Sequence, residues 1–187
     1  LAAVPWQIIS PANNKSIVGI FQDSLLGSYQ LTRPDIKFTP VEAMNLLMSF
    51  PKVDTTKLAK KSSISSFDLL SQILPPLSLQ YKTKGQSTLK IVNGKYISGQ
   101  LDKGALGDSS KGLIQRICND FGNMESASFI DNLQNIVTEY MKKSAYSVGI
   151  SDLIADEKTN KEIADAITKK KLEVRSLIDQ THLGIFE

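Results

Sequence analysis

An Asn93-Gly94 pair lies between two runs rich in β-branched and aromatic residues, 88–92 and 95–101. Both central residues of a type I′ turn need a positive φ angle, and Asn-Gly meets that requirement at the least steric cost. The pattern therefore predicts a β-hairpin at this point. Any fold of the chain must accommodate these two antiparallel strands.

Two more short strands are expected near the start of the chain, at 6–9 and 17–21, because a Pro- and Asn-containing turn at 10–15 separates them. Two other segments are interpreted as irregular. Residues 55–66 are rich in Lys and Ser and indicate a surface connection, and residues 104–112 are small and polar and indicate a loop.

A capping signature predicts that a helix begins after Thr39. The Thr39 side chain can accept a hydrogen bond at the cap, Pro40 suits the first helical position, and Glu42 can reach back to the cap. This helix should continue through Phe50 and end near Pro51.

Apolar residues at helical spacing predict three further helices. Two are short, one over 67–73 that ends at a Pro-Pro pair, and one over 113–118. The third begins near Ser126 and is amphipathic, so that one side should pack on a core. Its apolar face consists of Phe129, Leu133, Ile136, Val137, Tyr140 and Met141.

The last segment is predicted to be a long, highly charged helix. Thr159 and Glu162 have the spacing of a second capping box. A thin apolar seam of Ile163, Ile167, Val174 and Ile178 follows at helical spacing. The charged run 169–171 interrupts that seam, and a helix of this kind usually needs a partner to bury it.

The chain is long enough for one sizeable domain or two small ones, since its 187 residues are 41% hydrophobic. The elements described above predict an α+β fold. In it, mixed short strands with a β-hairpin and packed helices are followed by the long charged helix. No apolar run is long enough to span a bilayer, so no membrane is implied.

The titratable residues exclude several kinds of site. One cysteine, Cys118, and one histidine, His182, cannot form a disulfide or a zinc site, so a reducing intracellular compartment is the default. Cys118 is interpreted as a small buried side chain, and His182 is interpreted as having an exposed or packing role rather than an acid–base one. Twenty-two basic residues against 19 acidic ones give a net charge of +3, too balanced to argue for nucleic-acid binding by bulk charge.

Three sequence features could belong to a catalytic or binding site, but each is better explained by a structural role. Asp152 and Asp156 could form a carboxylate pair, yet acids near a helix start are more often caps. The run 107–112 lacks the Lys-Ser/Thr pair that a phosphate loop requires after its last glycine. Trp6 is expected to be a core anchor. The sequence thus contains no assembled catalytic site.

Three ordered blocks resemble a known family. The first runs from Val4-Pro5-Trp6-Gln7 through 19–23 to 31–33, the second covers 92–107, and the third covers 149–156. All three are similar to the largest subunit of multisubunit DNA-directed RNA polymerases, closer to the RNA polymerase II type than to the bacterial type. Residues 52–88 depart from the cellular enzymes and are shortened, which suggests a polymerase of a large DNA virus.

The resemblance implies a domain organisation and a site. Residues 1–147 would be the pore domain and 148–187 the start of the funnel, both surrounding the secondary channel of the polymerase. Nucleotides enter through that channel, and the 3′ end of backtracked RNA leaves through it. Gln22 and Asp23 match a pair facing the pore, and Lys103 matches a basic residue lining it. Gly104 stands where the family often has a second lysine.

The resemblance also implies that this chain is part of a nucleotidyltransferase that is inactive alone. In that family the aspartate loop that holds the catalytic magnesium precedes the first block, so no metal or cofactor is expected in this segment. The implied partners are the other polymerase subunits, the remainder of the largest subunit, template DNA, RNA, nucleoside triphosphates and a transcript-cleavage factor. The location would be the nucleus for a cellular enzyme, or host cytoplasm and virion for a viral one.

A different class of function stays open. The chain could be a freestanding protein-interaction module whose charged C-terminal helix docks onto a partner through its apolar seam. A magnesium-binding segment resembling Asn-Ala-Asp-Phe-Asp-Gly-Asp, encoded upstream in the same gene, would decide for the polymerase.

Overall fold

The computed structural model describes residues 2–82 and 88–184 and divides the chain into two units, Leu1–Ala145 and Tyr146–Glu187. The helices described in the first unit are α1 (Gln22–Leu31), α2 (Pro40–Leu46), α3 (Thr55–Ala59), α4 (Ser66–Leu70), α5 (Lys103–Leu106), α6 (Leu113–Phe121) and α7 (Asn123–Ser144). The strands are β1 (Ile9–Ser10), β2 (Lys15–Ser16), β3 (Lys37–Phe38), β4 (Ile64–Ser65), β5 (Leu79–Lys82), β6 (Thr88–Val92) and β7 (Lys95–Ser98). A 3-10 helix, Val4–Gln7, precedes β1.

The strands form three small antiparallel sheets, β1–β2, β3–β4 and β5–β6–β7. The β6–β7 hairpin confirms the Asn-Gly prediction, since Asn93 has φ 48° and Gly94 has φ 74°. Its second strand ends at Ser98, earlier than expected. Together with the helices, these sheets confirm the α+β class.

The hairpin turn is held in place from outside the hairpin. The Gly94 amide donates to the Leu77 carbonyl at 2.8 Å, and the Asn93 amide donates to Ser78 Oγ at 3.0 Å. A Cβ atom on Gly94 would lie 2.8 Å from the Pro75 carbonyl oxygen. Only glycine therefore fits both the positive φ and the close approach of Pro75.

The core of the first unit surrounds α7. As predicted, its apolar face is buried at Phe129, Leu133, Ile136, Val137 and Tyr140. This face packs against α1, α6 and α2. The helix α6 covers the predicted 113–118 and extends to Phe121. A T-shaped ring contact, with centroids 6.1 Å apart, joins Phe38 of β3 to Tyr140.

The capping box before α2 is present as predicted. Thr39 Oγ1 accepts from the Glu42 amide at 3.3 Å, and Glu42 Oε2 accepts from the Thr39 amide at 3.0 Å. The helix ends at Leu46, so the expected extension through Phe50 is wrong. The predicted helix over 67–73 is also shorter, because α4 spans Ser66–Leu70.

Three segments were assigned wrongly from local composition. The connection at 55–66 contains α3 and β4, with Leu58 and Ile64 buried. The loop at 104–112 includes most of α5. At the start of the chain, 17–21 form no strand and Trp6 and Gln7 lie in the 3-10 helix, so β1 and β2 fall on the ends of the predicted turn. Trp6 is 64% exposed rather than a core anchor. Pairing of β4 with β3, and the hydrogen bond from the Ile20 amide to the Leu106 carbonyl, are contacts between distant segments that the local pattern does not contain.

The second unit contains a 3-10 helix, Ile150–Leu153, and α8 (Glu157–His182). Asp156 caps α8 by accepting from the Thr159 amide at 3.1 Å, so the capping box predicted at Thr159 is wrong. Helix α8 is long and charged, as predicted, with exposed apolar residues along it. The assignments of 1–147 to a pore and 148–187 to a funnel stay predictions. No helix in the described ranges is both long and apolar enough for a membrane span.

We predict that Gly94→Ala lowers the free energy of unfolding by about 1–3 kcal/mol, because alanine is strained at positive φ and its Cβ meets Pro75. Asn93→Gly is the matched control. It keeps the backbone donor to Ser78 and should change stability by less than about 1 kcal/mol. Urea denaturation of both variants measures the difference, and equal stability of the two would contradict the proposed role of the turn.

Candidate functional site

The predicted site residues Gln22 and Asp23 lie in the first turn of α1, and both are exposed. Gln22 has φ 51°, in the left-handed region that residues other than glycine avoid. Such a conformation costs about 1–3 kcal/mol and persists where the surrounding structure imposes it. The start of α1 is therefore strained at one of the predicted site residues.

Two hydrogen bonds hold the segment 101–106 beside α1. At the C-terminal end of α1, the Leu101 amide donates to the buried Thr32 Oγ1 at 3.0 Å. At its N-terminal end, the Ile20 amide donates to the Leu106 carbonyl at 2.8 Å. The segment therefore runs alongside α1 in the opposite direction.

Lys103 lies within this anchored segment, at the first position of α5. Asp102 caps that helix by accepting from the Ala105 amide at 3.0 Å, which fixes the backbone before Lys103. The Lys103 side chain is exposed. The structure thus brings Lys103 and the start of α1 onto adjoining elements. Within the described ranges, no hydrogen bond or ion pair joins Lys103 to Gln22 or Asp23.

A second contact ties the β1–β2 hairpin to the loop after α5. Lys15 Nζ lies 3.1 Å from Asp108 Oδ2, and the buried Ser16 Oγ donates to the Gly107 carbonyl at 3.2 Å. The hydrogen bond and charge of Lys15 hold the pKa of the Asp108 carboxyl below its usual value, and the charge of Lys103 lowers it further. Asp108 is therefore paired directly with Lys15, and Lys103 acts on it only through its charge.

Gln115 of α6 contacts the turn of the same β1–β2 hairpin through a hydrogen bond. Its side chain is 5% exposed, and Nε2 donates to the Asn14 carbonyl at 3.1 Å. Its Oε1 atom is buried without a partner among the described residues. An amide oxygen is an acceptor, so the unfilled position would suit a donor such as a water molecule.

The other residues weighed for chemistry have structural roles. Asp156 is the cap of α8, and Asp152 accepts from the Gly149 amide at 2.8 Å, as expected for acids near a helix start. Cys118 is buried, which raises the pKa of its thiol, and His182 is exposed. No three His, Cys, Asp or Glu side chains in the described part of the chain are grouped to hold a metal ion.

Comparison with known proteins gives the family. The family described as RNA polymerase Rpb1, domain 3, matches residues 7–153 of the chain. The chain belongs to this family. It is also 32% identical, over 182 residues, to the DNA-directed RNA polymerase subunit 1 of Acanthamoeba polyphaga mimivirus. This alignment covers 96% of the chain but 12% of the mimivirus protein.

Membership in the Rpb1 domain 3 family confirms the resemblance on which the sequence interpretation depended. The chain corresponds to a part of the largest polymerase subunit and spans about an eighth of the curated relative's length. Similarity to a mimivirus protein supports the predicted viral origin. The roles of Gln22, Asp23 and Lys103 stay predictions, because family membership does not assign them.

Sequence reasoning missed Lys15, Thr32 and Asp108 at this site. Lys15 and Asp108 are 93 positions apart, so no local pattern could pair them. Thr32 lay inside the first resembling block, but its hydroxyl acts through a hydrogen bond to Leu101, 69 positions away. The sequence offered one weak signal. Thr32 and Leu101 both lie in resembling blocks, and Lys15 and Asp108 both lie in segments predicted to be a turn or a loop.

We predict that Lys15→Gln raises the pKa of Asp108 towards that of an unpaired aspartate. Lys103→Gln should raise it less, and the exposed Lys90→Gln should leave it unchanged, because Lys90 does not act on this carboxyl. Carbon-13 NMR titration of the Asp108 carboxyl measures all three. The Lys15 contact is present at neutral pH and lost as acid protonates Asp108, since its pKa in the folded state is depressed. A larger effect from Lys103 than from Lys15 would contradict this arrangement.

Proposed function

We propose that this chain forms part of the wall of the secondary channel of a DNA-directed RNA polymerase. Nucleotides would enter through this channel, and the 3′ end of backtracked RNA would leave through it. The observation that carries the proposal is the anchoring of segment 101–106, which contains Lys103, to the residues that flank α1, the helix that begins with Gln22 and Asp23. Family membership supports it, because the resembling blocks contain all three residues.

The chemistry of these side chains suits a passage better than a binding pocket. A channel for phosphorylated molecules must contact phosphates without retaining them, because tight binding would stop traffic. Lys103 is exposed, so its attraction for a phosphate is weakened by water and salt. Asp23, exposed at the start of α1, contributes a negative charge, and Gln22 can donate or accept hydrogen bonds. The wall would therefore be polar and only weakly attractive.

The reaction itself would come from other parts of the enzyme. Phosphoryl transfer by two metal ions needs clustered carboxylates. The magnesium of the complete polymerase would be bound by the aspartate loop, which is absent from this sequence. The other subunits, template DNA, RNA, nucleotides and a cleavage factor are proposed as partners on the same ground. We propose the nucleus as the location if the enzyme is cellular, or host cytoplasm and virion if it is viral.

One observation favours the second candidate function, a freestanding interaction module. Apolar side chains along α8 are about half exposed, including Ile163, Ile167 and Ile178 at 49–50%. A partner helix could cover them. The same exposure is expected of a polymerase domain separated from its neighbours, so the polymerase function remains the better supported one.

We predict that the purified chain has no nucleotidyltransferase activity, because it lacks the metal-binding aspartates. The measurement is incorporation of labelled nucleotides on a primed template with magnesium, and the complete polymerase serves as the positive control. Template-directed RNA synthesis by this chain alone would overturn the assignment of the reaction to other segments.

We predict that Lys103→Ala in the assembled polymerase slows transcript cleavage after backtracking by about two- to fivefold, the effect of losing one exposed charge contact. Initiation should change less. Lys90→Ala, which removes another exposed lysine, from β6, is the matched control. Cleavage and pausing assays on stalled complexes measure the effect. Unchanged rates would remove Lys103 from the channel wall without disproving family membership.

A further inference from the structure

A cavity of about 670 Å³ lies between α3, α4 and the β6–β7 turn, in a part of the chain that the channel proposal does not use. Five lysines line it, and we call it the lysine cavity: Lys52, Lys57, Lys60, Lys61 and Lys95. Gln22, Asp23 and Lys103 are not among its lining residues. Most of its lining residues belong to the segment 52–88, which was interpreted from the sequence as departing from the cellular polymerases.

Two of these lysines are neutralised inside the cavity. Lys57 Nζ lies 3.0 Å from Asp54 Oδ2, and Lys61 Nζ lies 2.8 Å from Asp68 Oδ2. Asp54 and Asp68 are the two acidic residues among the described residues that line the cavity, and each is already paired with a lysine.

The three remaining lysines, Lys52, Lys60 and Lys95, have no carboxylate partner in residues 2–82 and 88–184. The cavity therefore has three uncompensated positive charges. Charges of one sign that converge on a concave surface strengthen each other's field and attract an anion.

The backbone that carries these lysines is held firmly. Lys95 follows the turn whose amides are bonded to Leu77 and Ser78. Lys60 is the C-cap residue that follows α3. The helix is anchored by the buried Leu58, and its N-cap residue Asp54 donates its amide to Gln72 Oε1 at 3.1 Å. Such anchoring reduces the ordering cost when a ligand binds.

The lining also limits the chemistry of the ligand. None of the cavity's described lining residues is aromatic, so it offers no platform on which a base could stack. No arginine is present either, so recognition would be by lysine point charges, which suit phosphate. The Gln72 amide, whose oxygen is used by Asp54, still has its Nε2 donor.

Charge density separates a phosphate chain from an acidic peptide. Neighbouring acidic side chains on one face of an extended peptide are about 6–7 Å apart, because alternate residues face the same side. Linked phosphates concentrate their charges over a much shorter length, which suits three lysines, unpaired among the described residues, that line one cavity. We propose that the lysine cavity binds a polyphosphate group, such as the triphosphate of a nucleotide, through Lys52, Lys60 and Lys95.

The test is calorimetric titration of the full chain with inorganic tripolyphosphate at about 50 mM and about 200 mM salt. Saturable binding that weakens at the higher salt is expected. The triple variant Lys52→Gln, Lys60→Gln, Lys95→Gln should bind at least about tenfold more weakly. The control triple, Lys161→Gln, Lys169→Gln, Lys171→Gln, removes the same charge from α8 and should bind as the unchanged chain does.

The ligand class is tested with three further probes. Adenosine triphosphate should bind within about threefold of tripolyphosphate, because the cavity has no site for a base. A short single-stranded oligonucleotide and a glutamate-rich peptide should bind more weakly than tripolyphosphate. Amide shifts in a heteronuclear NMR spectrum should map to Leu58, Gly94 and Lys95.

Four results would overturn the proposal. They are the absence of saturable tripolyphosphate binding, an equal loss in the control triple, an adenosine triphosphate affinity more than tenfold higher, and tighter binding of the peptide or oligonucleotide. Circular dichroism of both triples shows whether the exposed substitutions leave the fold intact. None of these results bears on the channel proposal, because Lys103 is unchanged in every variant.

Discussion

The fold of the first unit depends on the burial of one face of α7. Its large apolar side chains contact α1 and α6, and each contributes about 1.5–3 kcal/mol by leaving water. The approach of α1 is close because Gly27 has no side chain. A Cβ atom there would lie 2.6 Å from Val137 Cγ1 and 2.7 Å from Met141 Cγ. This packing fixes the position of α1, on which the candidate site is built.

Segment 101–106 is positioned by the burial of Leu101, Ala105 and Leu106 in the core, and hydrogen bonds fix it beside α1. Thr32 is fully buried, donates to the Ser28 carbonyl at 2.8 Å and accepts from Leu101. Removing such a hydroxyl would leave a buried amide without a partner, which costs more than a surface hydrogen bond. The backbone position of Lys103 therefore depends on the buried hydrogen bond between the nearby Leu101 and Thr32, which are 69 positions apart in the sequence.

Two kinds of basic surface follow from this fold. Around Asp108, Lys15 and Lys103 share one exposed carboxylate, so the net attraction for anions there is small and sensitive to salt. In the lysine cavity, the paired aspartates leave three positive charges uncompensated. The first arrangement suits transient contact with passing phosphates, and the second suits retention of one. Both are compatible with a chain whose overall charge is only +3, because the charge is concentrated locally.

The sequence by itself determined the features that local chemistry imposes. The Asn93-Gly94 turn, the Thr39 capping box and the apolar face of α7 were all predicted, because each depends on neighbouring residues or on helical spacing. The resembling blocks gave the family and named Gln22, Asp23 and Lys103. Tertiary structure alone decided that α1 adjoins segment 101–106, that Trp6 is exposed, and that lysines of a supposed surface connection line a cavity. These depend on contacts between residues far apart in the chain, and local pattern carries no information about which distant partner a residue will meet.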